Sequence, residues 1–349
     1  MGPLQHRELR ACLIVAHNLG DAVIQSVFLQ QLVARDYAKE YLVWTRPQVA
    51  FLFESIPHCD VICSQFPVGT SKQMDGWALL AFICAALRVR NKRPSVTIDL
   101  IGDIRDRLFA RMVGTPRHLH IGWAVGHPFR QLIRNPFGDG APFVRVPAEV
   151  RNVYAAHDVM LRKLAPQVQP TAQLSRSTSH AIELTSPIRV GLHPFASQIC
   201  KLWPSQNWQA LTESLLASNA EVTAFGAPDD LIRLQDLFGQ FKGRVRLVTD
   251  DLPHFSDHVS TLNVMVGLDS FSVHMAYRQG VRTVMISAGN PPDLWSPPLC
   301  TTIASSGGCT SYPCYNVPKC KGTDGEYACI KAVTPRQVFD AVHNCPVDQ

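Results

Sequence analysis

CLIVAHNLGDAVIQSVFLQQL, residues 12–32, decides the fold. CLIVAH (12–17) is a short apolar strand. Asn18-Leu19-Gly20 then turns the chain, and an amphipathic run from Asp21 to about Arg35 predicts a helix. The alternation continues outward. YLVWT (41–45) and DVICS (60–64) read as strands, with VAFLFESI (49–56) as a helix between them. Residues 75–90 read as a long apolar helix, with Trp77, Leu80, Ala81, Ile83, Cys84 and Leu87 near helical spacing. SVTIDLIG (95–102) is a buried strand, and DIRDRLFARMVG (103–114) a helix ended by Gly114 with Pro116 beyond it. Strands separated by helices of this length imply a parallel sheet with right-handed crossovers.

Residues 164–187 are polar and rich in Pro, Ser and Thr, which marks a boundary. The pattern then restarts. IRVGLHP (188–194), EVTAFG (221–226), VRLVT (245–249), LNVMVGLDS (262–270) and TVMIS (283–287) read as strands. Helices are expected at 208–216, 229–238 and 272–280. The last helix, 334–344, starts with Thr334 as N-cap and Pro335 at its first position. The expected fold class is α/β, with two Rossmann-like doubly wound parallel-sheet domains facing across a cleft. The N-terminal domain spans 1–164, a linker 165–187, and a C-terminal domain 188–333 with a Cys-rich tail at 300–329. Residues 334–349 are expected to pack back on the N-terminal domain.

Composition sets bounds on this. Of 349 residues, 46% are hydrophobic and 17% charged, which supports packed cores and excludes a disordered chain. No run reaches about 18 apolar residues, so no transmembrane helix is expected. The N-terminus is a poor secretory signal, so a cytoplasmic location is expected. The net charge of +5 is uneven: residues 1–187 carry 21 basic and 14 acidic residues, residues 188–349 carry 12 and 14. The basic first half is either a solvated surface or a face for an anionic partner.

Three strand ends carry chemistry. Asp21 follows Gly20 at a helix start, where it either complements the helix dipole or serves as a general base. LHPFASQICKLWPSQNW (192–208) places Ser197 and Lys201 in a loop between strand and helix. Loop amides, a hydroxyl and an ammonium suit a diphosphate, although a surface lysine before a helix is also ordinary. VGLDSFSVHMAYRQG (266–280) puts Asp269 and Ser270 at a turn, with Ser270 or Ser272 as N-cap and His274 one turn in. Together they describe a transferase: a base in one domain and a diphosphate cradle in the other.

LGDAVIQSVFLQQL, IDLIGDIRDRLFARMVGTPRHLHIGW, HPFASQICKLWPSQNW, GLDSFSVHMAYRQGV and the tail Cys-Tyr…Cys…Cys…Thr-Pro-x-x-Val occur in this order over nearly the whole chain. In these the chain resembles the heptosyltransferases of lipopolysaccharide synthesis, the ADP-heptose-using inverting glycosyltransferases of family 9, which have the two-domain GT-B fold. The resemblance implies that Asp21 is the catalytic base. It implies that Ser197, Lys201, Ser270 and His274 bind the donor diphosphate, that the Phe271 amide helps, and that Asp269 positions the loop and donor. Asp229, after Phe225-Gly226, is the nearest match to the family's acidic residue on the donor ribose. Phe195 and Phe271 stand where the family usually has Gly. The implied acceptor is the anionic lipopolysaccharide inner core, with peripheral inner-membrane contact. A protein acceptor, or another nucleotide-activated sugar as donor, is the alternative.

The chain has 11 cysteines. Cys309, Cys314, Cys320 and Cys329 lack the paired C-x-x-C spacing of a zinc ribbon. Buried thiols, a redox-dependent disulfide, or a structural zinc or iron are the readings. Relatives with an iron-binding cysteine finger keep the metal among them. No cofactor is required for catalysis on this scheme. A metal-stabilised nucleic-acid-binding protein is a distant alternative, since residues 88–117 interleave only Phe109 among their basic residues.

Overall fold

The computed structural model describes residues 9–15, 18–65, 76–101, 104–123, 143–166, 187–315 and 317–344. The chain divides into two compact units between Ala172 and Gln173, inside the stretch marked as linker by its composition.

The first unit is a six-stranded parallel sheet in the order β3-β2-β1-β4-β5-β6. Its strands are β1 (Arg10–Val15), β2 (Glu40–Thr45), β3 (Cys59–Cys63), β4 (Val96–Asp99), β5 (His118–Trp123) and β6 (Phe143–Val146). Helices α1 (Leu19–Val33), α2 (Phe51–Glu54), α3 (Gly76–Asn91), α4 (Ile104–Val113) and α5 (Val153–Leu164) connect or follow them. The order reverses between β1 and β4, where Ile14 pairs with Asp99. Strands covered on both faces must be apolar throughout, and Ala11 to Val15 are all buried. On one face α3 and α4 seal the sheet. Phe109 of α4 stacks on Trp44 of β2 at 3.8 Å, and Phe82 of α3 meets both rings edge-on.

The second unit repeats the design, with the order β12-β11-β10-β7-β8-β9, again all parallel. Its strands are β7 (Arg189–His193), β8 (Glu221–Phe225), β9 (Val245–Val248), β10 (Val264–Leu268), β11 (Arg282–Ser287) and β12 (Thr301–Ala304). Its helices are α6 (Ser205–Ala217), α7 (Leu231–Phe238), α8 (Leu252–Ser260), α9 (Phe271–Arg278), α10 (Ala328–Lys331) and α11 (Pro335–Asn344). The reversal falls between β7 and β10, where His193 pairs with Gly267. Gly267 is required there. A Cβ on it would lie 2.8 Å from Ser272 Oγ and 3.0 Å from Val273 Cγ1, so the first turn of α9 sits directly on β10.

Two expectations are corrected. The helix expected at 49–56 is a 3-10 turn at Pro47–Val49 followed by the single turn of α2, because Pro47 starts a tighter turn two residues before the expected start. The last helix is expected to pack back on the N-terminal domain. Its buried residues, Val338 and Val342, belong instead to the core of the second unit with Trp208 and Val284. Its start is as expected: the Gln337 amide donates to Thr334 Oγ1 and the Thr334 amide to Gln337 Oε1.

Candidate active site

In open parallel sheets, ligands bind outside the carboxyl ends of the strands, at the point where strand order reverses. Each unit has such a point, and the candidate residues fall at both.

In the first unit, β1 leads through Asn18 into α1. Asp21 sits in the first turn of that helix and is partly exposed. Its carboxylate lies at the positive end of the helix dipole. Beside it in the sheet, β4 ends at Asp99, which is fully buried and accepts a 2.9 Å hydrogen bond from the Ile101 amide. Asp99 escaped the sequence reading because a carboxylate inside an apolar strand carries no motif of its own.

In the second unit, the loop after β7 carries Ser197, which is exposed, and a 3-10 turn at Ile199–Lys201. The loop is anchored by Trp203, whose buried ring meets Trp208 edge-on and whose Nε1 donates to Val333 O at 2.9 Å. Lys201 Nζ thereby reaches the end of β10. It pairs with Asp269 Oδ2 at 2.8 Å and donates to Asp269 O at 3.2 Å. Asn290, in the loop after β11, donates to the same Oδ2 at 2.8 Å. Asp269 is thus held from two further strand ends, and both partners are largely buried. Asn290 was not found from sequence, since nothing near it in the chain marks it.

Ser270 is the N-cap of α9, as expected, but its side chain caps no amide. Its Oγ lies 3.2 Å from Ser272 Oγ. Phe271 opens the helix and His274 lies buried in it. Burial pushes the His274 imidazole down to about 4; Asp269 opposes the shift and Lys201 adds to it. His274 is therefore neutral at pH 7, able to donate or accept a hydrogen bond without adding charge. His193, at the end of β7, is likewise pushed down to about 4 by burial. The rings of Phe195, Phe255 and Phe271 surround it edge-on at 6.2, 6.1 and 5.4 Å. The two phenylalanines that replace glycine thus both pack on His193. Asp229 is exposed in a 3-10 turn, while its neighbour Asp230 is engaged locally with Arg233 at 2.5 Å.

The cysteine segment is tied to this site. Tyr312 Oη donates to Asn290 O at 2.9 Å, and the Tyr315 amide to Gly289 O at 2.7 Å. Burial raises the Cys200 thiol, with Cys314 and Cys329 adding to the rise and Lys201 opposing it. The ten cysteines among the described residues are all free. Among those residues no three or more His, Cys, Asp or Glu side chains are grouped so as to hold a metal, so Cys309, Cys314, Cys320 and Cys329 as placed do not fit a zinc or iron centre. Among the described residues no helix is long and apolar enough to cross a membrane.

No curated protein matches the chain. Solved structures do. A glycosyl transferase family 9 protein of Veillonella parvula aligns with a TM-score of 0.72 at 15% identity, covering 98% of both chains. The E. coli heptosyltransferase WaaC, solved with ADP-2-deoxy-2-fluoro heptose, gives 0.71 at 12% identity, over 96% of this chain and 99% of that one. E. coli ADP-heptose lps heptosyltransferase II gives 0.65 at 16%, over 96% and 98%. At such identities the likeness speaks for the fold: two Rossmann-like units in the manner of GT-B glycosyltransferases. The family model for glycosyltransferase family 9 (heptosyltransferase) matches residues 95–321, well over half the chain. The chain belongs to that family and is a glycosyltransferase.

Proposed function

We propose that the protein transfers heptose from ADP-heptose, with inversion, to an acidic glycolipid, the inner core of lipopolysaccharide. The observation that carries this reading is the Lys201–Asp269–Asn290 anchor at the second reversal point of a family 9 chain. A lysine held at a strand end beside a helix start suits a diphosphate. Support for the sugar and nucleotide comes from E. coli WaaC, solved with an ADP-heptose analogue. Support for the acceptor comes from the family and from the basic first half of the sequence.

In this reading Asp21 takes the proton of an acceptor hydroxyl as its oxygen attacks the anomeric carbon from the face opposite ADP. The bond from that carbon to the diphosphate oxygen breaks, and the electron pair leaves with ADP. Lys201, the free amides at the start of α9, Ser270 and neutral His274 stabilise the charge that develops on the leaving group. Ser197 adds a hydroxyl to the diphosphate, Asp269 orients the lysine, and Asp229 takes the ribose. A zinc or iron at the tail cysteines has no part in this reaction. The protein works at the inner face of a membrane without spanning it.

The test pairs Asp21→Asn with nucleotide binding. Turnover, followed as ADP release from ADP-heptose with a heptose-free core acceptor, should fall at least a hundredfold, within the range of lost general-base catalysis. ADP affinity by calorimetry should stay within about twofold. Wild-type turnover in Asp21→Asn removes it as the base, and a stronger response to UDP or GDP sugars than to ADP-heptose removes the donor assignment.

A further inference from the structure

Helix α3 carries two apolar faces. One, with Ala78, Phe82, Ala85, Ala86 and Val89, is buried against the first sheet and α4. The other should be polar on a surface helix. It is not. Trp77 is 81% exposed, Leu80 51% and Leu87 48%, with Ala81 and Cys84 exposed between them. At about 100° per residue these five side chains fall within an arc of about 120° along three turns.

Charge at the end of this stripe is one-sided. α3 contains no acidic residue, and its last turn bears Arg88 and Arg90, followed by Arg93; all three are exposed. By the same geometry Arg88 lies along one edge of the stripe and Arg90 beyond the other. Lys92 is engaged with Asp60. α4, packed beside α3, adds exposed Leu108 and Arg111. An exposed tryptophan and leucines with arginines at the carboxyl end of the stripe, and no exposed carboxylate on either helix among the described residues, match an anionic lipid surface. The apolar side chains enter the acyl boundary and the guanidinium groups meet phosphates. With 16 residues α3 lies on such a surface and does not cross it.

We propose that the exposed face of α3, extended by α4, docks the protein on an anionic bilayer. The proposal deepens the reading of a lipid-anchored acceptor and rests on it for purpose, not for its test. Sedimentation with vesicles of phosphatidylethanolamine and phosphatidylglycerol (3:1) should recover the protein. Vesicles of phosphatidylcholine alone should not, and added salt should weaken the binding. Leu80→Glu/Leu87→Glu should lower the partition coefficient at least tenfold, and Arg88→Gln/Arg90→Gln about fivefold per arginine. Leu80→Ser/Leu87→Ser repeats the first test without new charge, and unchanged melting temperatures confirm folding. ADP release with a deacylated, water-soluble acceptor should be unchanged in all three variants, which separates docking from catalysis. Equal binding to both vesicle types overturns the proposal, as does full binding by Leu80→Glu/Leu87→Glu. So does a wild-type dimer that this variant dissociates without any vesicle binding, which would make the face an interface between copies.

Discussion

Asp269 Oδ2 accepts from two side chains, Lys201 and Asn290, each at 2.8 Å. Charge-assisted hydrogen bonds of this kind contribute about 1.5–3 kcal/mol when water is excluded. The lysine is thereby fixed in direction before any ligand arrives. Lys201→Ala should weaken ADP binding by about ten- to a hundredfold, read by calorimetry. Asn290→Ala, which leaves the cation in place but loosens its partner, should cost less. Equal losses would show that the amide side chain meets the ligand itself. Lys201, Asp269, Ser270 and His274 stand out in the sequence as candidates because each lies in a strand-turn-helix motif. Asn290 and Asp99 do not. Asn290 acts on a residue 21 positions away in the chain, and Asp99 is a lone carboxylate closing a buried strand.

At the scale of elements, the α9 start depends on a missing side chain. Gly267→Ala would put a methyl 2.8 Å from Ser272 Oγ. Backbone and helix must then part, at a cost of about 1–3 kcal/mol in stability. Thermal unfolding should show a melting temperature lower by several degrees, and ADP affinity should fall because the helix start moves. A wild-type melting temperature would mean that the helix start accommodates the methyl without strain. Buried strands such as β1 and β10 were evident from unbroken apolar runs. β12, Thr301–Ala304, was not, because a four-residue edge strand of partly exposed residues, two of them threonines, lacks that signal. β5 escaped for a related reason: HLHIGW mixes histidines and a glycine into its apolar residues.

For the whole molecule, acid stability follows from three buried imidazoles. Burial pushes His157 down to about 3, and His193 and His274 down to about 4. An unfolded histidine takes its proton near 6.5. Between about 6.5 and 4 the unfolded chain therefore binds protons that the folded chain refuses. Stability is complete above 6.5 and is lost as the pH falls toward 4. Urea titrations at pH 7 and 4.5 should show this loss, and His157→Phe should flatten the slope by about one proton. An unchanged slope would place His157 outside the effect. The doubling of the α/β pattern across a polar linker was plain in the sequence. That both sheets share one strand order was not, since order depends on pairings that periodicity does not encode.

The loop that carries Lys201 does not stand alone. Trp203 and Asn207, just beyond it, both donate to the carbonyl of Val333, the residue two before α11 begins. α11 in turn is seated by Val338 and Val342. Trimming the chain before that helix would release the carbonyl and with it the tryptophan. The injury would surface more than a hundred residues upstream, as a slackened hold on phosphate.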